Sequence, residues 1–375
     1  MPIGAGQREL TRNYSGGAPD KRRARRRLLS LVFVFTKALR GFLLIKMRLQ
    51  NSLGKKRPNY WSIGLISALF TFIAAWWWQA DRPIVVLGKP IVYTGVLTHP
   101  AQVIRIGDMY LGGELFSNEL ILSESPGFET HERLVLRDKK SHSVVTLGSP
   151  HFFEPFDTNR VLVSEGWGSN VALVEIDSGE VSRFGDAEGR GFNAPHGICF
   201  DAANGWVYVA DSLHSRLVRY RPLDTSPAEI FADHKKLVSY GRQLLCEEDG
   251  LWLSNSYEDR DGLNPGRGSN VLHISDFASG KASVIAQFPD VNMTGLVRLN
   301  KNWIVVGLWS AHNQLALVST DGSAIVKPIQ PIKDLPGPPY GLFFDEVRSE
   351  LLATYIGSIH DRAHPGGLAV YPVGF

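Results

Sequence analysis

Cysteine is nearly absent from this sequence of 375 residues. Cys199 and Cys246 are the only two, too few for a disulfide-rich scaffold and unsuited to a paired-cysteine zinc centre. No Gly-x-Ser-x-Gly, His-Glu-x-x-His or Walker A pattern occurs, so no strand-to-helix nucleophile turn, helical zinc pair or phosphate loop is signalled. Long helical periodicity is missing after residue 84. Charge is missing between Arg57 and Asp81. What is present is turn chemistry, with 37 Gly and 21 Pro, and a hydrophobic content of 44% that excludes a wholly disordered chain. The net charge of +3 averages two unlike pieces. Residues 1–58 hold 15 Lys and Arg against 2 acids, whereas the rest hold 25 against 35.

Residues 58–80, PNYWSIGLISALFTFIAAWWWQA, supply the roughly 20 apolar helical residues that a bilayer core requires. Trp76, Trp77 and Trp78 stand at one end, where amphipathic rings favour the headgroup layer, and Lys55, Lys56 and Arg57 at the other. This predicts a single-pass transmembrane anchor over residues 59–80. The basic flank places the N-terminus in the cytoplasm and the body across the membrane, in a periplasm, a lumen or the exterior. Residues 28–58 read as an interfacial amphipathic helix and basic linker, because Lys37 and Arg40 interrupt the apolar stretch Leu28 to Ile45. Residues 1–27 read as a disordered basic tail. Its Lys21–Arg27 run suits anionic lipid beside an anchor better than nucleic acid, and no nucleic-acid partner is expected. If the Leu28 stretch also spanned, the body would be cytoplasmic.

From residue 84 to 375, short β-rich runs alternate with Gly, Asp, Asn and Ser turns. Pro195 to Asp233 parses as four strands, roughly GICFD, WVYVAD, RLVRYR and EIFAD. Similar units begin at Pro339 and Met293, with weaker copies from Tyr240, Phe153 and His99. Gly197, Gly241, Gly295 and Gly341 align them at separations of 44, 54 and 46 residues. Four-stranded units at this spacing predict an all-β, six-bladed β-propeller. The last unit ends after three strands, and residues 84–95 belong to none, so that stretch is expected to close the ring as the missing strand.

In such blades the start of the first strand and the turn between the second and third lie at one end. First-strand starts are expected to bring His99, Glu154, His196, Arg242, Thr294 and Tyr340 to that end. The turns add Glu165, Trp167, Asp211, His214, Tyr257, Glu258, Asp259, Trp309, His312, His360 and Asp361. The turn after Ser254 is long enough to fold over the axis as a lid. Against a functional reading stands a bland one: axial polar groups satisfy one another, and turn acids cap backbone amides.

FNAPHGICFDAANGWVYVADS, Phe192 to Ser212, resembles the blade of paraoxonase-type arylesterases that carries an Asn-Pro-His-Gly-Ile stretch. The body also resembles the wider six-bladed superfamily of gluconolactonase-like, strictosidine-synthase-like and NHL-repeat propellers. The resemblance implies hydrolysis of esters or lactones around an axial calcium ion, with His196 at the family's histidine and Glu154 as an axial metal ligand. Arg242, Thr294 and Tyr340 occupy positions where that calcium would need Asn or Asp, so an Arg242 pair with Glu154 or a lid acid is expected in place of the metal. The relatives' closing disulfide is not expected, and both cysteines read as small apolar packing residues. Two functions follow. In one, a membrane-tethered hydrolase uses His196 or His214 as base, Asp211 to orient it and Arg242 to stabilise the oxyanion. Glu154, Trp167, Tyr257, Thr294, Trp309, His312, Tyr340 and His360 contact the substrate. In the other, the same face binds a small ligand or a partner protein without catalysis.

Overall fold

The computed structural model describes residues 85–375 except 96, 186–190, 223–228, 231–237, 257–267, 290, 310–312, 324, 330–331, 333–334 and 359–363. The predicted tail, interfacial helix and anchor lie outside the described residues, as do Tyr257, Glu258, Asp259, His312, His360 and Asp361. Among the described residues no helix is long and apolar enough to cross a membrane.

Six antiparallel sheets follow one another along the chain. Blade 1 comprises Pro100–Ile106, Met109–Glu114, Leu120–Ser123 and His131–Arg133. Blade 2 comprises Pro150–Pro155, Arg160–Glu165, Asn170–Glu175 and Glu180–Phe184, with Arg137–Asp138 laid parallel on its outer edge. Blade 3 is Pro195–Asp201, Trp206–Asp211, Arg216–Tyr220 and Glu229–Ile230, and blade 4 is Tyr240–Glu247, Gly250–Ser256, Ser269–Asp276 and Lys281–Phe288. Blade 5 is Asn292–Asn300, Trp303–Trp309, Gln314–Ser319 and Ile325–Ile329. Blade 6 takes Pro339–Asp345, Glu350–Tyr355 and Gly367–Gly374 from the end of the chain. Its outer edge is covered by Val86–Leu87 and Ile91–Tyr93, antiparallel to Gly367–Gly374 with Val86 opposite Gly374 and Ile91 opposite Val370. The first strand of blade 6 also lies against that of blade 1, so the ring has no open edge there.

Each blade is buried on both faces, which explains runs such as WVYVA with no polar alternation. In blade 3, Ile198, Val207, Val209 and Val218 pack on Phe152, Leu162 and Val171 of blade 2. The alternate residues Cys199, Tyr208, Ala210 and Leu217 pack on Leu244, Leu251, Leu253 and Leu272 of blade 4. On this second face Cys199 and Cys246 meet across the blade boundary as a disulfide, with Cα atoms 5.5 Å apart. They are therefore not independent packing residues. Adjacent blades bring them together although 47 residues separate them in sequence.

All six first strands shift register at one equivalent step: Pro100/Val103, Pro150/Phe153, Pro195/Ile198, Gly241/Leu244, Met293/Leu296 and Pro339/Leu342. Each shift is a bulge that leaves two residues unpaired with the second strand. It aligns the blades independently of sequence and corrects two expectations. Blade 1 begins at Pro100, so Ala101 rather than His99 takes the axial position. Blade 2 begins at Pro150, so His151 takes it, and Glu154 lies three residues deeper.

Candidate functional site

The first bulge residue of each blade is Ala101, His151, His196, Arg242, Thr294 or Tyr340. The end of the ring where these strands begin is its upper mouth. Arg242 can only donate, so the hydrogen bond of 2.8 Å from its guanidinium makes His196 Nε2 an acceptor. The other ring nitrogen, Nδ1–H, donates to the Ala194 carbonyl at 2.9 Å. Arg242 also meets the Tyr340 hydroxyl, which hydrogen-bonds His151 Nδ1, and His151 Nε2 lies 3.3 Å from the Ser149 hydroxyl. The His151 and His196 rings meet edge to face at 4.3 Å, and the guanidinium stacks 4.4 Å above Tyr240.

Burial and the Arg242 charge hold this network in one protonation state. Both push the His151 imidazole down to about 3, and burial, His151 and Arg242 hold His196 well below its ordinary value. Burial raises the Tyr340 hydroxyl. The set is thus two neutral imidazoles, a neutral phenol and one fixed cation, whose Nε is buried without a partner among the described residues. Thr294 is fully buried and its hydroxyl donates to the Pro339 carbonyl.

The second bulge residue closes the axis beneath this ring. In blades 3, 5 and 6 it is Gly197, Gly295 or Gly341, where a Cβ would lie 2.3–2.5 Å from a carbonyl of the next first strand. In the opposed blades 1 and 4 it is Gln102 and Gln243. Both amides donate to the Leu342 carbonyl at 2.9 Å. Their oxygens accept the Phe153 N–H at 2.7 Å and the Leu296 N–H at 2.9 Å. Below these glutamines, at the lower end, a cavity of about 130 Å³ is lined in part by Glu154, Glu247 and Arg298. Burial there raises the Glu154 carboxyl to about 8. Its oxygen accepts the Phe200 N–H at 3.3 Å. Glu154 is therefore neither an upper-mouth residue nor the partner of Arg242, which pairs with His196 instead.

The turn acids act first as fasteners. Glu114, Glu165, Asp211 and Asn255, near the ends of four second strands, each accept an N–H from the residue three before their blade's first bulge residue: Thr98, Gly148, Asn193 and Ser239. Glu165 is further paired with Arg183 at 2.8 Å. Asp211, fully buried, also takes the Arg216 Nε–H and His214 Nδ1–H, both at 2.7 Å. This leaves His214, 41% exposed, with Nε2 directed away from its carboxylate partner. The Ser212 hydroxyl donates to the Gly241 carbonyl and ties this turn to the residue before Arg242. Trp167 is exposed on the rim 6.0 Å from Phe116, and Trp309 is half-buried at the end of its strand.

A calcium ion does not fit the upper ring. Calcium takes six to eight oxygens, many of them carboxylate, whereas this ring offers no carboxylate and holds a guanidinium on the axis. Among the described residues no group of three or more His, Cys, Asp or Glu could hold a metal. His151, absent from the sequence expectations, was signalled by Ser-Pro-His at 149–151, which echoes Ala-Pro-His at 194–196.

The NHL repeat family matches residues 192–220. No curated protein matches the sequence. Among solved structures, a gluconolactonase from Xanthomonas campestris is similar at 15% identity and a TM-score of 0.54, covering 78% of this chain and 99% of its own. The WD40 repeats of RRP9 are similar at 12% identity and a TM-score of 0.51, covering 78% and 100%. At such identities the likeness concerns the fold. Six bladed sheets sharing one bulge register make this chain a six-bladed β-propeller, and its third blade carries a stretch similar to the NHL repeat.

Proposed function

We propose that this is a membrane-anchored, extracytoplasmic propeller whose upper mouth binds a small molecule through a carboxylate, ester or lactone oxygen and hydrolyses it without a resident metal. Arg242 carries the reading: a half-buried cation, fixed by His196, Tyr240 and Tyr340, retains a buried N–H with no acceptor among the described residues. A preorganised donor at low dielectric stabilises oxygen charge as it develops. His214, oriented by Asp211, is the base. It takes a proton from water as the oxygen attacks the carbonyl carbon, and returns it to the departing alkoxide as the carbon–oxygen bond breaks. His196, with both nitrogens engaged, is a positioning residue for Arg242. The Cys199–Cys246 disulfide supports an oxidising compartment, as the predicted topology requires. The gluconolactonase with this fold makes lactones the first class to assay.

A second reading, a propeller that binds a ligand or partner protein without turnover, is favoured by the engagement of every nitrogen of His151 and His196. Aryl esters and lactones, assayed with and without a chelator, separate the two. Turnover that survives chelation, falls at least about 100-fold in His214→Gln and leaves binding intact supports hydrolysis. Binding lost in Arg242→Gln, with no turnover by the parent, establishes the second reading.

A further inference from the structure

Few large apolar side chains are exposed on the described surface, and three of them gather at the lower end of blade 6. Val86, Val347 and Phe375 are 59%, 79% and 57% exposed. Val86 lies opposite Gly374, and the Phe375 ring meets Phe344 edge-on at 6.1 Å. The Ser349 carbonyl, two residues from Val347, accepts the Val373 N–H at 2.8 Å. The side chains beside it carry no basic excess, with Lys89 and Arg348 against Glu346 and Glu350. A clustered apolar surface of this kind marks an interaction site.

The same corner is where the chain joins the propeller. Val86 stands six residues after Ala80, the end of the uncharged run at 58–80. Six residues reach about 20 Å at full extension. We infer that Val86, Val347 and Phe375 form a seating surface that enters the interfacial layer of a lipid bilayer. The inference rests on the reading of residues 59–80 as a membrane anchor. Seating there turns the lower end of the ring toward lipid and the upper mouth toward water. With no basic excess beside it, apolar insertion holds the contact without anionic headgroups.

The test uses the full chain in phosphatidylcholine vesicles, with an environment-sensitive fluorophore on Val347→Cys and, as an upper-mouth control, on Ser117→Cys. Cys199 and Cys246 are already paired and leave the label to the introduced thiol. The expected result is flotation with the vesicles, blue-shifted emission at 347 that nitroxide lipid quenches and high salt leaves unchanged, and water-like emission at 117. Flotation with equally water-like emission at both positions overturns the seating surface while sparing the anchor. Failure to float overturns the anchor, and the seating surface with it.

Discussion

Replacing Glu154 by glutamine should stabilise the protein in mild alkali and leave it nearly unchanged in mild acid. The carboxyl is raised from an ordinary value of 4.5 to about 8, chiefly by burial and further by the nearby Glu247 charge. Between those values the native state holds a proton that the unfolded chain has released. Stability is therefore full below about pH 4.5 and is lost as pH rises toward about 8. At 1.36 kcal/mol per unit the whole shift amounts to about 5 kcal/mol, and the partial exposure of the side chain scales this back to about 3 kcal/mol. Glutamine keeps the shape and can still accept the Phe200 N–H, but has no proton to lose. Guanidinium unfolding of the detergent-solubilised full chain should show parent and Glu154→Gln within about 1 kcal/mol of each other near pH 5, and separated by about 3 kcal/mol near pH 8.5. An equal separation at both pH values would refute the buried, protonated carboxyl.

Three further outcomes follow from the axis and its staple. Removing the disulfide with Cys199→Ala and Cys246→Ala should cost about 4 kcal/mol, the chain-entropy figure for a separation of 47 residues, and the parent should lose as much on adding reductant in the same denaturation assay. Gly341→Ala would place a Cβ 2.5 Å from the Ala101 carbonyl and 2.6 Å from Gln102 Cβ, so thermal unfolding should reveal a loss of about 2–3 kcal/mol. Tyr340→Phe deprives His151 Nδ1 and Arg242 of a shared hydroxyl, and equilibrium unfolding should register a loss of about 1–2 kcal/mol with near-UV circular dichroism retained.

The repeat and its closure were legible because they depend on strand alternation and turn residues, which local sequence encodes. The missing strand of blade 6 could be inferred because IVVLGKPIVYTG had no blade of its own. The axial positions of four blades were legible, in three of them beside a glycine at the second bulge site and in blade 4 at Arg242. Gly197, Gly295 and Gly341 place His196, Thr294 and Tyr340 correctly, but Gly241 lies two residues before the equivalent site, which is Gln243. Phe152 and Gln102 hide that position in blades 2 and 1, and so the sequence alignment put Glu154 where His151 stands. The disulfide was not legible, because Cys199 and Cys246 meet only once neighbouring blades face one another. Asp211 shows the ambiguity that remains in residue type: the same carboxylate fastens Asn193 and orients His214.

The crossed amides of Gln102 and Gln243 make the upper mouth a dead end. A molecule that arrives there can depart only by the route it came, so a spent ligand must vacate before a fresh one gains access. Both then contend for one vestibule. A turnover cycle built on this geometry would slow as its own product accumulates, with purely competitive kinetics, and sweeping that product away would restore the rate.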